Sequence, residues 1–359
     1  MVLCPHIVSG LISIGVKYLE FLFEYGLFLA KAVTIVIAFI AIVLSILVLA
    51  NKQKSHEGTG NLELDSLSDT FDDLAQMGKQ ALLSKEQLKQ QAKAKKKSKK
   101  KESESSSDKS KHLFVVDFNG SAMAKEVETL RKEITAILCI ANPDDEVLVK
   151  VESGGGVVHG YGLAASQLKR IKDKGLKLTV SIDKVAASGG YMMACVADKV
   201  ISAPFAIVGS IGVVAQLPNF NKLLKKNDIE LELHTAGEFK RTLTMFGENT
   251  QEGRDKFQSE LEEVHGMFKT FVSDNRPQLN IETVATGEYW YGTKAKELAL
   301  VDDIQTSDDF LMKQNEHFKL FKLKYAAKKT LAQKLGLAVS QGIESGLSNV
   351  FTKVNTWRM

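Results

Sequence analysis

The sequence predicts an α/β protein built on a largely parallel sheet, preceded by a transmembrane helix and a charged linker. Three observations support this. Between His112 and Ile182, short runs of β-branched and aromatic residues alternate with longer segments whose apolar residues recur at helical spacing, the pattern of repeated βα units. Residues 32–50 form a 19-residue stretch without a charged side chain. From Lys85 to Lys111 there are eleven lysines against four acidic residues and almost no apolar ones, a composition that cannot bury a core.

With 359 residues the chain is long enough for one large domain or two beside a membrane segment. Formal net charge is +4, and the lysine-rich stretch alone carries a surplus of seven, so the remainder is mildly acidic. That argues against a basic nucleic-acid-binding fold and confines the positive charge to a tether. Cys4, Cys139 and Cys195 are far apart and without a CxxC pattern, so neither a disulfide framework nor a zinc site is expected, and Cys139 and Cys195 read as free, buried thiols.

Residues 32–50 are long enough at helical rise to cross a hydrocarbon core of roughly 30 Å. Val48-Leu49-Ala50 fits a signal-peptidase pattern, but the segment ahead of it and the length of the apolar run exceed a secretory signal, which favours an uncleaved anchor. Upstream, Leu11 to Phe28 is interrupted by Lys17, Glu20 and Glu24 and reads as an interfacial helix, so residues 1–31 form an N-terminal interfacial segment. Lysines C-terminal to the span place the following domain in the cytoplasm on a simple count. Long segments translocate regardless of distant charge, so the side of the membrane stays open. Residues 51–111 read as linker, with Leu67, Phe71, Leu74 and Leu82 on one helix face suited to a partner subunit or a lipid surface, followed by a spacer whose lysines suit anionic headgroups.

The predicted domain spans 112–317. His112–Phe118, Glu146–Glu152 and Leu178–Ile182 read as strands, and Val127, Leu130, Ile134, Ile137 and Leu138 as one helix face. A second helix runs from Gly160 to Lys174, and Val185 to Ala197 turns from extended chain into a third. Strands are expected near Lys199–Ser202, Ser210–Ala215 and Ile229–His234, then a long charged helix over Thr250–Asn275. Residues 318–359 read as a basic amphipathic tail, with an apolar stripe from Leu331 to Val354.

Two short motifs carry the candidate chemistry. Ser188 stands in Ala186-Ala187-Ser188-Gly189-Gly190-Tyr191, and Lys240 in Gly237-Glu238-Phe239-Lys240. A serine between small residues is a candidate nucleophile and a lone lysine its base. Each has a plainer reading: small-Ser-Gly-Gly also occurs where a strand turns tightly into a helix, and a single lysine is commonly a solvated charge. In an open α/β sheet the loops after neighbouring strands share an edge. Ser153-Gly154-Gly155-Gly156, after the second strand, should therefore lie beside Ser188. Gly155 and Gly189 N–H groups would then receive an acyl oxyanion. To act as a base Lys240 must be neutral, which requires an apolar wall, for which Phe239, Leu243, Met245 and Phe246 are candidates. Ser210 is a candidate to orient the lysine, or simply a turn serine. His159, His234 and His265 are isolated, and HExxH, EF-hand and GxxxxGK[ST] patterns are missing from the sequence, so no metal or other cofactor is expected. Trp290 and Tyr291 read as core residues.

From about Asp117 to Asp303 the chain resembles the signal peptide peptidase A family of serine peptidases, in its SohB branch of bacterial inner-membrane peptidases. The carriers are Val185–Tyr191, Val208–Val213, Gly237–Arg241, Tyr161–Ser166 and Trp290–Gly292. The resemblance implies a ClpP/crotonase-like fold of repeated β-β-α units, a homo-oligomer, a single-pass anchor in the bacterial inner membrane and peptide or protein substrates. It assigns Ser188 as nucleophile, Lys240 as general base and Gly189 with Gly155 as oxyanion donors. The family's usual Ser-Pro-Gly-Gly is here Ser153-Gly154-Gly155-Gly156, which frees the backbone at 154 and implies a less preorganised loop. Hydrolysis of extended peptides, such as signal-peptide remnants or misfolded membrane proteins, is the leading reading. A crotonase-like acyl-thioester enzyme and a non-catalytic membrane scaffold are the alternatives.

Overall fold

The computed structural model describes residues 25–40, 60–84, 86–87 and 111–326. The chain divides into two compact units, one of Met1–Asn61 with Ala327–Met359 and one of Leu62–Ala326. In the first, residues 25–40 form a helix, α1, with apolar side chains such as Phe28, Ile35 and Phe39 exposed. Among the described residues no helix is long and apolar enough to cross a membrane; residues 41–50 of the expected span lie outside them.

The second unit is a parallel-rich α/β fold. Its main sheet contains β1 (Asn61–Ser66), β2 (His112–Asn119), β3 (Glu146–Glu152), β4 (Lys177–Ile182), β6 (Lys199–Ser202), β9 (Asp303–Ile304) and β10 (Lys319–Ala326), in the order β1-β10-β2-β3-β4-β6-β9. Every strand pair from β10 to β9 is parallel. A smaller sheet has the order β5-β7-β8, from β5 (Val185–Ala187), β7 (Ile207–Gly209) and β8 (Tyr289–Tyr291).

A parallel sheet covered on both faces needs strands that are apolar on both sides, and β2 and β3 meet that requirement. Phe114, Val116, Phe118, Val147, Val149 and Val151 face one apolar cluster, while Leu113, Val115 and Leu148 face another. The first cluster is closed by α3 (Val127–Ile140), through Leu130, Ile134 and Ile137, and by α4 (Val158–Asp173), through Leu168 and Ile171. Each of these side chains is fully or almost fully buried, worth about 1.5–3 kcal/mol apiece. The second is closed by Phe310 and Leu311 of α10 (Ser307–Gln314) and by Leu67 and Phe71 of α2 (Leu67–Leu82).

The last contact changes the reading of the linker. Its first part is strand β1 followed by helix α2, capped by Ser66, whose side chain accepts from the Asp69 N–H. Ser68 Oγ lies 2.6 Å from Asn315 Oδ1 and accepts the Leu320 N–H at 2.9 Å, pinning α2 to the far end of the sheet. Leu74 and Leu82, the rest of the expected stripe, stay exposed. The domain also continues beyond 317: Lys319–Ala326 is strand β10, with Leu320 and Leu323 buried and Lys322 paired to Asp117 at 2.6 Å. The remainder of the expected tail, 327–359, lies outside the described residues.

Candidate active site

The site is assembled where the two sheets meet. Past the end of β3, Ser153 leaves the main sheet and forms a parallel bridge to Ala186 of β5. Its N–H donates to Val185 O at 2.9 Å, and Ala187 N–H donates to its carbonyl at 3.0 Å. The glycine loop therefore leaves one strand as the serine arrives on another, which puts both on the same edge.

Ser188 follows β5 and precedes α5 (Gly189–Ala194), with φ 50° and ψ −118°. A positive φ in a non-glycine residue stores strain and persists only when its surroundings enforce it. Here the Ser188 N–H donates to Gly209 O at 2.8 Å, from β7, while its side chain caps no helix amide. A sharp strand-to-helix turn of this kind presents a hydroxyl at the edge of a sheet. Ser188 is half-buried.

The glycines around it are required by close approach. A Cβ on Gly189 would stand 2.3 Å from Tyr161 Cγ, one on Gly190 2.5 Å from Ser153 O, and one on Gly156 2.0 Å from Ala122 O. The tight-turn reading of Ser-Gly-Gly thus accounts for both glycines but not for the backbone of Ser188. Gly155, at φ 88°, lies directly on Ser188: a Cβ there would be 2.7 Å from Ser188 Cβ, 2.8 Å from Gly189 N and 2.9 Å from Ala187 O. Its own N–H donates to Ser153 Oγ at 3.1 Å. Gly189 begins α5, where a backbone N–H has no intrahelical acceptor.

Ser188, Gly189 and Gly155 are therefore brought together, and Ser210 follows Gly209 beside them. Ser210 has φ 51°, donates its hydroxyl to Gly287 O at 3.1 Å and its N–H to Glu288 O at 2.7 Å. It is tied to the turn before β8.

Lys240 is not drawn in. It is exposed, its N–H donates to Gly237 O at 3.3 Å, and no hydrogen bond or ion pair of the described residues joins it to Ser188 or Ser210. The apolar wall expected around it is open in the single chain, with Phe239, Met245 and Phe246 exposed and Leu243 half-buried. The strands expected at Ser210–Ala215 and Ile229–His234 are irregular chain without a ladder partner, and Ile229, Leu231 and Leu233 lie exposed. This segment is held at one end by α6 (Asn221–Lys226), where Asn221 Nδ2 donates to Phe246 O at 2.9 Å. At the other it meets α7 (Gln251–Asn275), capped by Thr250, with Lys256 of α7 lying over the Phe239 ring.

Cys195 is buried, and burial pushes its thiol up to about 12, leaving it unreactive. Cys139 is exposed rather than buried, on the outer face of α3. Trp290 packs against the core and Tyr291 is exposed. His159 and His234 are exposed. Sequence reasoning gave Ser153 and Tyr161 no role of their own, yet their hydroxyls meet in the core beneath Gly155 and Gly189. The signal available was a tyrosine and a serine flanking the glycine loop at both ends.

Comparison with known proteins agrees along most of the chain. Residues 20–168 match the family model described as Peptidase family S49 N-terminal, and residues 170–320 that described as Peptidase family S49. A probable protease SohB of Haemophilus influenzae is 50% identical over 328 residues, covering 88% of this chain and 92% of its own. Its counterpart in Buchnera aphidicola subsp. Acyrthosiphon pisum is 49% identical over 335 residues, covering 93% and 98%. A solved membrane-bound stomatin-specific protease overlays with a TM-score of 0.39 at 10% identity, over 58% of this chain and 86% of its own, a likeness too slight to inform the fold. Two consecutive family matches and half-identical relatives along nearly their whole length place the chain in peptidase family S49, on the branch of the SohB proteases.

Proposed function

We propose that the protein is a membrane-anchored serine endopeptidase that cleaves extended peptide segments with Ser188 as nucleophile and Lys240 as general base. The observation that carries this is the strained turn of Ser188 at the start of α5, with Gly155 in contact with it. Packing alone explains the neighbouring glycines, but a serine held at positive φ with its hydroxyl uncommitted to the helix is what a nucleophile requires.

In this mechanism neutral Lys240 Nζ takes the proton of Ser188 Oγ as the oxygen attacks the scissile carbonyl carbon. The oxyanion is received by the N–H groups of Gly189 and Gly155, each worth about 3 kcal/mol to such an intermediate. Gly155 must exchange its bond to Ser153 Oγ for one to the oxyanion. The lysine ammonium then gives its proton to the departing amine, leaving an acyl-enzyme. Water, deprotonated by Lys240 Nζ, attacks the acyl carbon, and the lysine returns that proton to Ser188 Oγ as the acid leaves. Ser210 supports the arrangement by fixing the turn beside Gly209.

An amine surrounded by water is a poor base at neutral pH. Lys240 therefore needs a cover that the single chain does not provide, and the exposed apolar side chains of 214–246 are suited to receive it from a second copy. We take homo-oligomerisation as part of the function. Substrate is expected as extended chain, because an open strand edge pairs with a peptide; β5 is not that edge, its backbone being engaged by β7 on one side and by Ser153 on the other. A ClpP/crotonase-like architecture is supported by the way each of β4 and β6 passes into a strand of the second sheet. Anchoring in the bacterial inner membrane rests on the uncharged run 32–50.

The test is peptide hydrolysis by the full-length protein in detergent, across pH, for wild type, Ser188→Ala and Lys240→Ala. Both variants should be inactive, and wild-type activity should rise through one alkaline ionisation. Full activity in Lys240→Ala would place the base elsewhere. Folded wild type that neither cleaves peptides nor reacts with a fluorophosphonate at Ser188 would sink the reading altogether.

A further inference from the structure

Tyr161 and Ser153 form a buried hydroxyl pair directly under the proposed oxyanion site. Tyr161 is fully buried in α4 and Ser153 nearly so. Tyr161 Oη lies within hydrogen-bond distance of Ser121 O, at 2.9 Å, and is hydrogen-bonded to Ser153 Oγ. Ser153 Oγ also lies within hydrogen-bond distance of Gly120 O, at 3.1 Å, and accepts the Gly155 N–H at 3.1 Å.

Counting protons shows that these contacts cannot all be filled at once. Two hydroxyls supply two protons, while three contacts ask for one: Tyr161 to Ser121 O, Ser153 to Gly120 O, and the one between the hydroxyls. Two arrangements place a proton between the hydroxyls, as their close approach requires. Either Tyr161 donates to Ser121 O and Ser153 donates to Tyr161, or Tyr161 donates to Ser153 and Ser153 donates to Gly120 O. In the first, Gly155 is the donor to Ser153 Oγ; in the second, Tyr161 is a donor to it as well, and Gly155 can leave without stranding a buried acceptor.

We propose that Tyr161 is a positioning residue for the oxyanion loop: its hydroxyl replaces the Gly155 N–H on Ser153 Oγ when that N–H turns to the oxyanion, while its ring fixes Gly189. This rests on the Ser188 mechanism given above. The ring contact is direct, since a Cβ on Gly189 would strike the Tyr161 ring, and Phe118 meets the same ring edge-on at 6.3 Å. Burial pushes the Tyr161 hydroxyl above its ordinary value, against the lowering effect of its bond to Ser153, so it keeps its proton at alkaline pH. A single side chain thus underlies both N–H donors. It acts on the reaction through them, with no contact to substrate.

The experiment uses the full-length protein and Tyr161→Phe, which keeps the ring and removes only the hydroxyl. Rates are normalised to Ser188 sites titrated with a fluorophosphonate. The expected result is a fall in kcat of about 10-fold, the factor carried by one stranded buried acceptor, with KM unchanged. The inhibition constant of a peptide aldehyde, which forms a tetrahedral adduct on Ser188, should rise by the same factor. In a Ser153→Ala background Tyr161→Phe should have no further effect, because the hydroxyl then has no acceptor to serve. A merely structural role would lower thermal stability or raise KM and leave kcat per titrated site intact, and that outcome overturns the proposal. So does a loss from Tyr161→Phe that persists undiminished in Ser153→Ala. Should Tyr161→Phe fold poorly, the titrated sites still report its kcat. Active wild type, inactive Ser188→Ala and unaltered Tyr161→Phe would refute this inference alone, whereas wild type without Ser188-dependent turnover would refute the mechanism with it.

Discussion

Replacing Gly155 by alanine tests the placement of the glycine loop against Ser188, the proposed nucleophile. The new Cβ would lie 2.7 Å from Ser188 Cβ, 2.8 Å from Gly189 N and 2.9 Å from Ala187 O, whereas ordinary contact begins near 3.4 Å. None of these three atoms is the free end of a flexible side chain, so the loop and Ser188 must separate by roughly 0.7 Å. Displacement of a reacting group by about 1 Å costs on the order of 100-fold in rate, so kcat/KM should fall between about 10- and 100-fold. The φ of 88° adds strain of about 1–2 kcal/mol for a residue with a Cβ. That lowers Tm by about 2–8 °C in a domain of this size. The assay is hydrolysis of an internally quenched peptide, with thermal melting of the same samples. Gly162→Ala is the control: it lies in α4 with nothing within 4 Å of its Cβ, so activity should hold while stability rises by about 0.5–1 kcal/mol. Gly155→Ala with wild-type kcat/KM would show that the loop does not face Ser188 in the working enzyme.

Gly154 has open space around it and lacks a positive φ, and the residue before it is extended chain bridged to β5. Gly154→Pro should therefore stabilise the protein by about 0.4–1 kcal/mol by restricting the unfolded chain; a lower Tm would contradict that backbone assignment. Glu133 is buried, and burial holds its carboxyl above the usual range, with Asp117 adding to the rise and the Tyr325 N–H opposing it. A carboxyl with a raised folded value favours the folded state when protonated, so this contribution is present at low pH and is lost as pH rises through the raised value. Glu133→Gln should accordingly melt higher than wild type at pH 8 and alike at pH 4; an equal gain at both pH values would exclude the titration as its cause. Arg276 is buried and grips Asp302 through both guanidinium nitrogens at 2.8 Å, with a further bond to Ala299 O. Asp302 remains partly exposed, so Arg276→Met should cost about 3 kcal/mol, the lower end for breaking such a pair, or about 6–12 °C in Tm. A change below 2 °C would mean the pair is not what closes α7 onto the sheet.

The parts of the fold that were legible in the chain are those where local pattern and burial agree. Glu146–Glu152 is a strand residue for residue, because its apolar run Val147-Leu148-Val149 is buried on both faces. Ser188 was legible as a turn because only glycine fits where Gly189 and Gly190 meet Tyr161 and Ser153. Ile229–His234 misled for the opposite reason: its alternation is that of a strand, but pairing depends on a neighbour that local pattern does not reveal. Lys319–Ala326 read as basic tail because its lysines dominate the composition, although Leu320 and Leu323 are the residues that seat it in the sheet. The docking of Leu67 and Phe71 was hidden likewise, since a helix stripe does not name what covers it. At the site, backbone-determined positions were readable and long-range ones were not. Gly155 follows from strand order, while the meeting of Ser153 with Tyr161 depends on how α4 crosses the sheet.

The proposed nucleophile and base sit in very different surroundings. Ser188 is fastened by a backbone bond to Gly209 and follows β5, which has no exposed residue, whereas Lys240 belongs to a stretch, from 227 to 247, whose residues are almost all exposed and form no ladder. Amide hydrogen exchange follows the free energy of the opening that frees each group. Deuterium uptake should therefore divide the site in time: amides of β3, β4 and Gly189–Ala194 should exchange only with global opening, and those of 227–247 almost at once. Any partner that completes the site by covering Lys240 should be visible first as slowed exchange in that one stretch, before any change in the core.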